Sequence, residues 1–78
     1  MPRLRDISGK KLVAIFESFG FIVVSQRGSH IKMIRLLGKV QTLVIPNHTS
    51  ISKGTLKTIY NQALEYILDS ELKKFFYS

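Results

Sequence analysis

The stretch from Phe21 to Pro46, FIVVSQRGSHIKMIRLLGKVQTLVIP, decides the fold. It opens with FIVVSQ (21–26), β-branched and aromatic over a short length, and runs into a turn signal at Arg27-Gly28. HIKMIRLL (30–37) then reads as a second strand, with Lys32 and Arg35 interleaved among apolar residues, so the two strands form a hairpin. Gly38-Lys39 turns the chain again into VQTLVIP (40–46). Pro46 ends that third strand because proline has no amide hydrogen to give to a ladder. The expectation is a three-stranded antiparallel meander.

Helical patterns flank it. In SGKKLVAIFESFG (8–20) Leu12, Ile15, Phe16 and Phe19 recur at helical spacing, Ser8 is placed to cap, and Gly20 supplies a left-handed stop. After NHTSI (47–51), Ser52 is a candidate cap for a second helix carrying Leu56, Ile59, Tyr60, Ala63 and Leu64 on one face. Asp69 is a candidate cap for a short last helix through Leu72, Phe75 and Phe76, while Glu65 to Leu68 holds no clear breaker and leaves open one bent helix. Helix, three-stranded antiparallel sheet, helix, with one sheet face covered, is an α+β two-layer domain. At 78 residues the chain supports one domain, 1–78, with one modest core.

Composition narrows the chemistry. Without cysteine, and with two histidines and five scattered carboxylates, neither a disulfide framework nor a structural zinc site is expected. No glycine-rich phosphate loop is present, so no nucleotide cofactor is indicated. Apolar runs fall far short of the roughly 20 residues that cross a bilayer, and the first residues lack a signal peptide's apolar segment. The expectation is a cytoplasmic chain without a membrane partner. Twelve Lys and Arg against five Asp and Glu give a net charge of +7, which points to a polyanionic partner.

Histidine is the side chain best suited to proton transfer near neutral pH, which makes His30 and His48 the acid–base candidates. His30 stands beside Arg27, Ser29 and Lys32 at a hairpin mouth, where cations would attract a phosphodiester. A partly buried histidine with a hydrogen-bond partner is the plainer reading of such a strand residue. His48, just after a strand-ending proline, reads as a loop or capping residue. Arg27, Lys32, Arg35, Lys53 and Lys57 are the candidates for a cationic face, with Gly28 and Ser29 in the turn after Arg27.

The ordered set FGFIVVSQRGSHIKM, VIPNH and ISKGTLKTIYNQAL resembles the HicA (YcfA-like) family of toxin ribonucleases, the mRNA interferases of toxin–antitoxin pairs, over roughly Ser8 to Leu64. The matching pieces are Gly20-Phe21, Gln26-Arg27-Gly28-Ser29-His30, Pro46-Asn47-His48, and Gly54-Thr55-Leu56 with Ile59 and Gln62-Ala63. The resemblance implies a double-stranded-RNA-binding-domain-like fold and a catalytic histidine at His30. It also implies mRNA as substrate and a HicB-type antitoxin as partner. RNA is then the ligand expected at the cationic face and its turn, Arg27, Gly28, Ser29, Lys32, Arg35, Lys53 and Lys57, and His48 is expected to hold its loop near His30. The family usually places a glycine after the QA pair, where this chain has Leu64-Glu65-Tyr66, so the second helix is free to run on. The aromatic end, Tyr66, Phe75, Phe76 and Tyr77, is expected to pack as core or to make a homodimer contact. Two alternatives stay open: a non-catalytic RNA-binding module of the same fold, and a basic subunit that binds an acidic protein.

Overall fold

A computed structural model describes residues 2–78. The chain runs α1 (Gly9–Ser18), β1 (Ile22–Arg27), β2 (His30–Leu37), β3 (Lys39–Pro46), α2 (Lys53–Ala63) and α3 (Asp69–Phe76). Ser8 caps α1 by accepting a hydrogen bond from the Lys11 amide at 3.1 Å, and Gly20, at φ +95°, turns the chain out of it. Ser52 caps α2 in the same way through the Thr55 amide at 3.2 Å. Gly28, at φ +54°, takes the first central position of the two-residue turn Gly28-Ser29, where a tight hairpin asks for glycine. The turn is thus one residue later than the Arg27-Gly28 signal, and Arg27 ends β1.

The sheet is antiparallel in the order β1-β2-β3. Residues paired across strands share a face. Ile31 with Ile45, and Met33 with Leu43, are buried against Leu12, Ile15 and Phe16 of α1 and Leu56, Ile59 and Ala63 of α2. The alternate residues, His30 with Pro46 and Lys32 with Val44, lie on the opposite face. An irregularity between Val23 and Ser25 resets β1, so that Ser25 stands opposite Lys32 and Arg27 opposite His30. That outer face has no helix over it. Ile22, Leu36, Val40 and Val44 stand exposed there, Leu36 at 74%.

Arg35 departs from the expectation that it belongs to a cationic RNA-binding face. Its side chain points to the helix side, donating to Gln41 Oε1 at 2.7 Å, to the Phe19 carbonyl at 2.8 Å and to the Tyr66 carbonyl at 2.9 Å. Its guanidinium also sits 4.9 Å from the centre of the Phe21 ring. One planar fork thereby joins the end of α1, the sheet and the segment after α2.

The two C-terminal helices are separate. α2 ends at Ala63 without a glycine, and the Tyr66 carbonyl goes to Arg35 while Ile67 is buried in the core. Asp69 is the first residue of α3 and not its cap; Leu68 holds the cap position with no side-chain hydrogen bond. Asp69 instead accepts a hydrogen bond from the Tyr60 hydroxyl, which ties α3 to α2. The aromatic end packs inward, with Phe76 against Phe16 and Tyr60 at centroid distances of 6.2 and 5.0 Å. Phe75 meets Phe19 edge-on at 5.5 Å.

Replacing Arg35 with alanine strands three acceptors, and should lower the unfolding free energy in urea by about 2–4 kcal/mol. Arg35→Lys should recover little of it, because one ammonium cannot span the three partners. A loss below about 0.5 kcal/mol, the range of ordinary surface substitutions, would return Arg35 to the solvent-facing cations.

Candidate active site

His30 is the first residue of β2 and is held between Arg27 of β1 and Pro46 of β3. Two-residue periodicity brings Lys32 to the same face one step on, flanked by Ser25 and Val44. These side chains, Ser25, Arg27, His30, Lys32 and Val44, line a cleft of about 390 Å³ on the uncovered face of the sheet. His30 is exposed, so a solvent-borne group can reach its ring. Neither Arg27 nor Lys32 has a carboxylate partner among the described residues, which leaves both charges to act on whatever enters.

The loop after β3 is tied to this end of the sheet. The Asn47 amide donates to the Ser29 carbonyl at 2.6 Å, one residue before His30. The Gly9 amide donates to the His48 carbonyl at 2.8 Å, which seats the first residue of α1 on the same loop. Glycine is required there: a Cβ on Gly9 would collide with the Pro46 carbonyl oxygen and stand 2.9 Å from Asn47 Cα. The sequence reading passed over Gly9, although a glycine in the first turn of a helix is a poor helix former and hints at a close approach. His48 itself lines a neighbouring cleft of about 360 Å³ with Ser8, Lys10, Asn47 and Thr49, and does not enter the cleft of His30.

The other candidate cations are divided. Gly28 and Ser29 form the turn beside His30, and Arg27 and Lys32 line its cleft. Arg35 lies beneath the sheet. Lys53 and Lys57, on α2, line a third groove together with Arg3 and Arg5, which sequence reasoning did not select. Among the described residues no group of three His, Cys, Asp or Glu side chains is placed to hold a metal ion, and no helix is long and apolar enough to cross a membrane.

The model of one protein family, described as the HicA toxin of bacterial toxin–antitoxin systems, matches residues 9–64 of the 78. Neither the curated proteins nor the solved structures gave a match. The matched span runs from the glycine that seats α1, through the sheet and the cleft of His30, to the end of α2. The chain therefore belongs to the HicA toxin family.

Proposed function

We propose that this toxin is a ribonuclease that cleaves RNA without a metal ion, with His30 as its proton-transfer group. The observation that carries the reading is the cleft on the free sheet face, where an exposed histidine stands between two unpaired cations. Arg27 and Lys32 draw a phosphodiester to the cleft and offset the charge that builds on its oxygens during reaction. The ribose 2′-oxygen bonds to phosphorus as the bond from phosphorus to the 5′-oxygen breaks. His30 takes the proton of the attacking hydroxyl or delivers one to the leaving oxygen. Among the residues lining the cleft it alone suits proton transfer at neutral pH, so the other transfer falls to solvent.

His30→Ala should lower the cleavage rate by about 10²–10⁴-fold, the usual contribution of a positioned acid or base. Growth arrest should be lost with it, while RNA binding persists, because binding draws on several phosphate contacts. Cleavage by the intact chain should continue in EDTA. Assays on purified protein decide it: wild-type rates in the variant would remove the reading, and loss of activity in EDTA would count heavily against it.

Family membership implies an antitoxin partner. We place that partner, of HicB type, on the free sheet face, where the apolar side chains of Leu36, Val40 and Val44 run up to the basic cleft. A complementary surface would be acidic around an apolar centre, giving fast and salt-sensitive association. Hydrogen exchange with and without the partner should show protection at residues 27–32 and 47–53. Protection confined to residues 65–78 would mean that the partner acts from the opposite side.

A further inference from the structure

The N-terminal arm, outside the family match, forms a basic groove with α2. Arg3 and Ser78 exchange backbone hydrogen bonds at 2.8 and 2.9 Å, the Arg5 amide donates to the Phe76 carbonyl at 2.7 Å, and Leu4 pairs with Tyr77 as in a short antiparallel ladder. Extended backbone sends alternate side chains to opposite sides. Leu4 accordingly packs on the core, and Arg3 and Arg5 emerge together on the other side, about 6.6–6.8 Å apart along the strand.

Lys53 fastens the arm to α2, donating to the Leu4 carbonyl at 2.8 Å and pairing with Asp6 at 2.8 Å. Lys57 follows one helical turn later on the same face. The resulting groove, of about 710 Å³, is lined by Arg3, Leu4, Arg5, Asp6, Lys53, Lys57 and Ser78. Its basic side chains outnumber its one acidic side chain by four to one. Among the described residues no hydrogen bond or ion pair engages the side chains of Arg3, Arg5 or Lys57. Such a concentration of unpaired like charge opposes the compact state, and an anion in the groove relieves it.

We propose that this groove binds the sugar–phosphate backbone of the RNA substrate at phosphates remote from the scissile one. The inference rests on the nuclease reading above and extends it from the cleft of His30 to a second contact. Position supports it: β3 ends beside His30, the loop 47–52 leads from that end into α2, and Lys53 opens α2 at the rim of the groove. The character of the walls separates RNA from an acidic protein. A protein interface centres on well-packed, desolvated side chains, with aromatic residues enriched and lysine and carboxylates depleted at its core. The large exposed apolar side chains of this molecule include Ile22, Leu36, Val40 and Val44 on the sheet face, and none of these lines the groove, where partly buried Leu4 is the one apolar residue among four basic ones. Guanidinium groups spaced along an extended backbone suit successive phosphates, each able to take a two-pronged hydrogen bond.

The test uses single-stranded RNA and the full chain carrying His30→Ala, so that the substrate stays intact. Adding Arg3→Gln and Arg5→Gln, which leave the backbone pairing of the arm in place, should weaken binding about tenfold. It should also reduce the slope of log affinity against log salt by about 1.4, or 0.7 for each lost phosphate contact. Arg3→Lys with Arg5→Lys should restore most of that slope. With His30 intact, the two glutamine changes should raise KM and fall far less on kcat. An unchanged slope and affinity in a chain that still binds RNA would overturn the groove and leave the nuclease reading standing. A reduced slope in a chain that, with His30, never cleaves would uphold the groove and refute the nuclease. Weakened binding to an acidic partner protein with RNA binding unaltered would assign the groove to that partner and overturn the proposal.

Discussion

The structure depends on one close approach of backbone to backbone, where Gly9 meets the end of β3. With no side chain at Gly9, the α1 amide reaches the His48 carbonyl and the helix lies against Pro46 and Asn47. The Asn47 amide in turn holds the Ser29 carbonyl, so the hairpin turn, the loop after β3 and the start of α1 form one hydrogen-bonded unit. His30 follows that turn directly, and its backbone is ordered from both sides by β1 and β3. A positioned acid or base must hold its geometry closely to be effective. Here main-chain contacts fix the backbone of His30 and leave its ring exposed, as the proposed proton-transfer role requires.

The second constraint is that helices cover one face of the sheet only. Burying Ile31, Met33, Leu43 and Ile45 beneath α1 and α2 obliges the alternate residues to face solvent, because the side-chain period of a strand is two. The same parity that buries Ile31 exposes His30 and Lys32. A basic cleft and an apolar strip therefore share one open surface, suited to a charged substrate at one end and to a protein partner along its length. The basic groove beside α2 lies apart from that strip and is lined by four basic residues with Leu4 as its one apolar residue.

Much of this was legible in the sequence, for local reasons. Alternation in residues 30–46, the serine caps at Ser8 and Ser52, and glycines at the turns fix strands and helices within a few residues of themselves. The meander brings Arg27, His30 and Lys32 together because tight hairpins leave little choice of register. Arg35 was misread although the signal was present: it is an odd number of residues from His30 and Lys32, and so shares the side of Ile31 and Met33. Asp69 is not the cap because α3 begins one residue earlier than the cap pattern suggests, with Leu68 at the cap position, and because its carboxylate is taken by the hydroxyl of Tyr60 on α2, a tertiary contact that no local pattern shows. Arg3 and Arg5 were passed over because their alignment comes from pairing with the last residues of the chain, which no local pattern announces.

In the proposed reaction the ribose 2′-hydroxyl is the nucleophile, and the protein supplies a histidine and two cations around it. The most direct measurement is cleavage of an RNA oligonucleotide carrying one 2′-deoxy sugar on the 5′ side of the cut, with the chemical ends of the all-ribose products determined in parallel. The single deoxy sugar should block cleavage at that position, and the all-ribose substrate should yield a 2′,3′-cyclic phosphate and a 5′-hydroxyl. Cleavage at the deoxy position at the normal rate, with 5′-phosphate ends, would mean that water attacks the phosphorus and would contradict the proposed reaction.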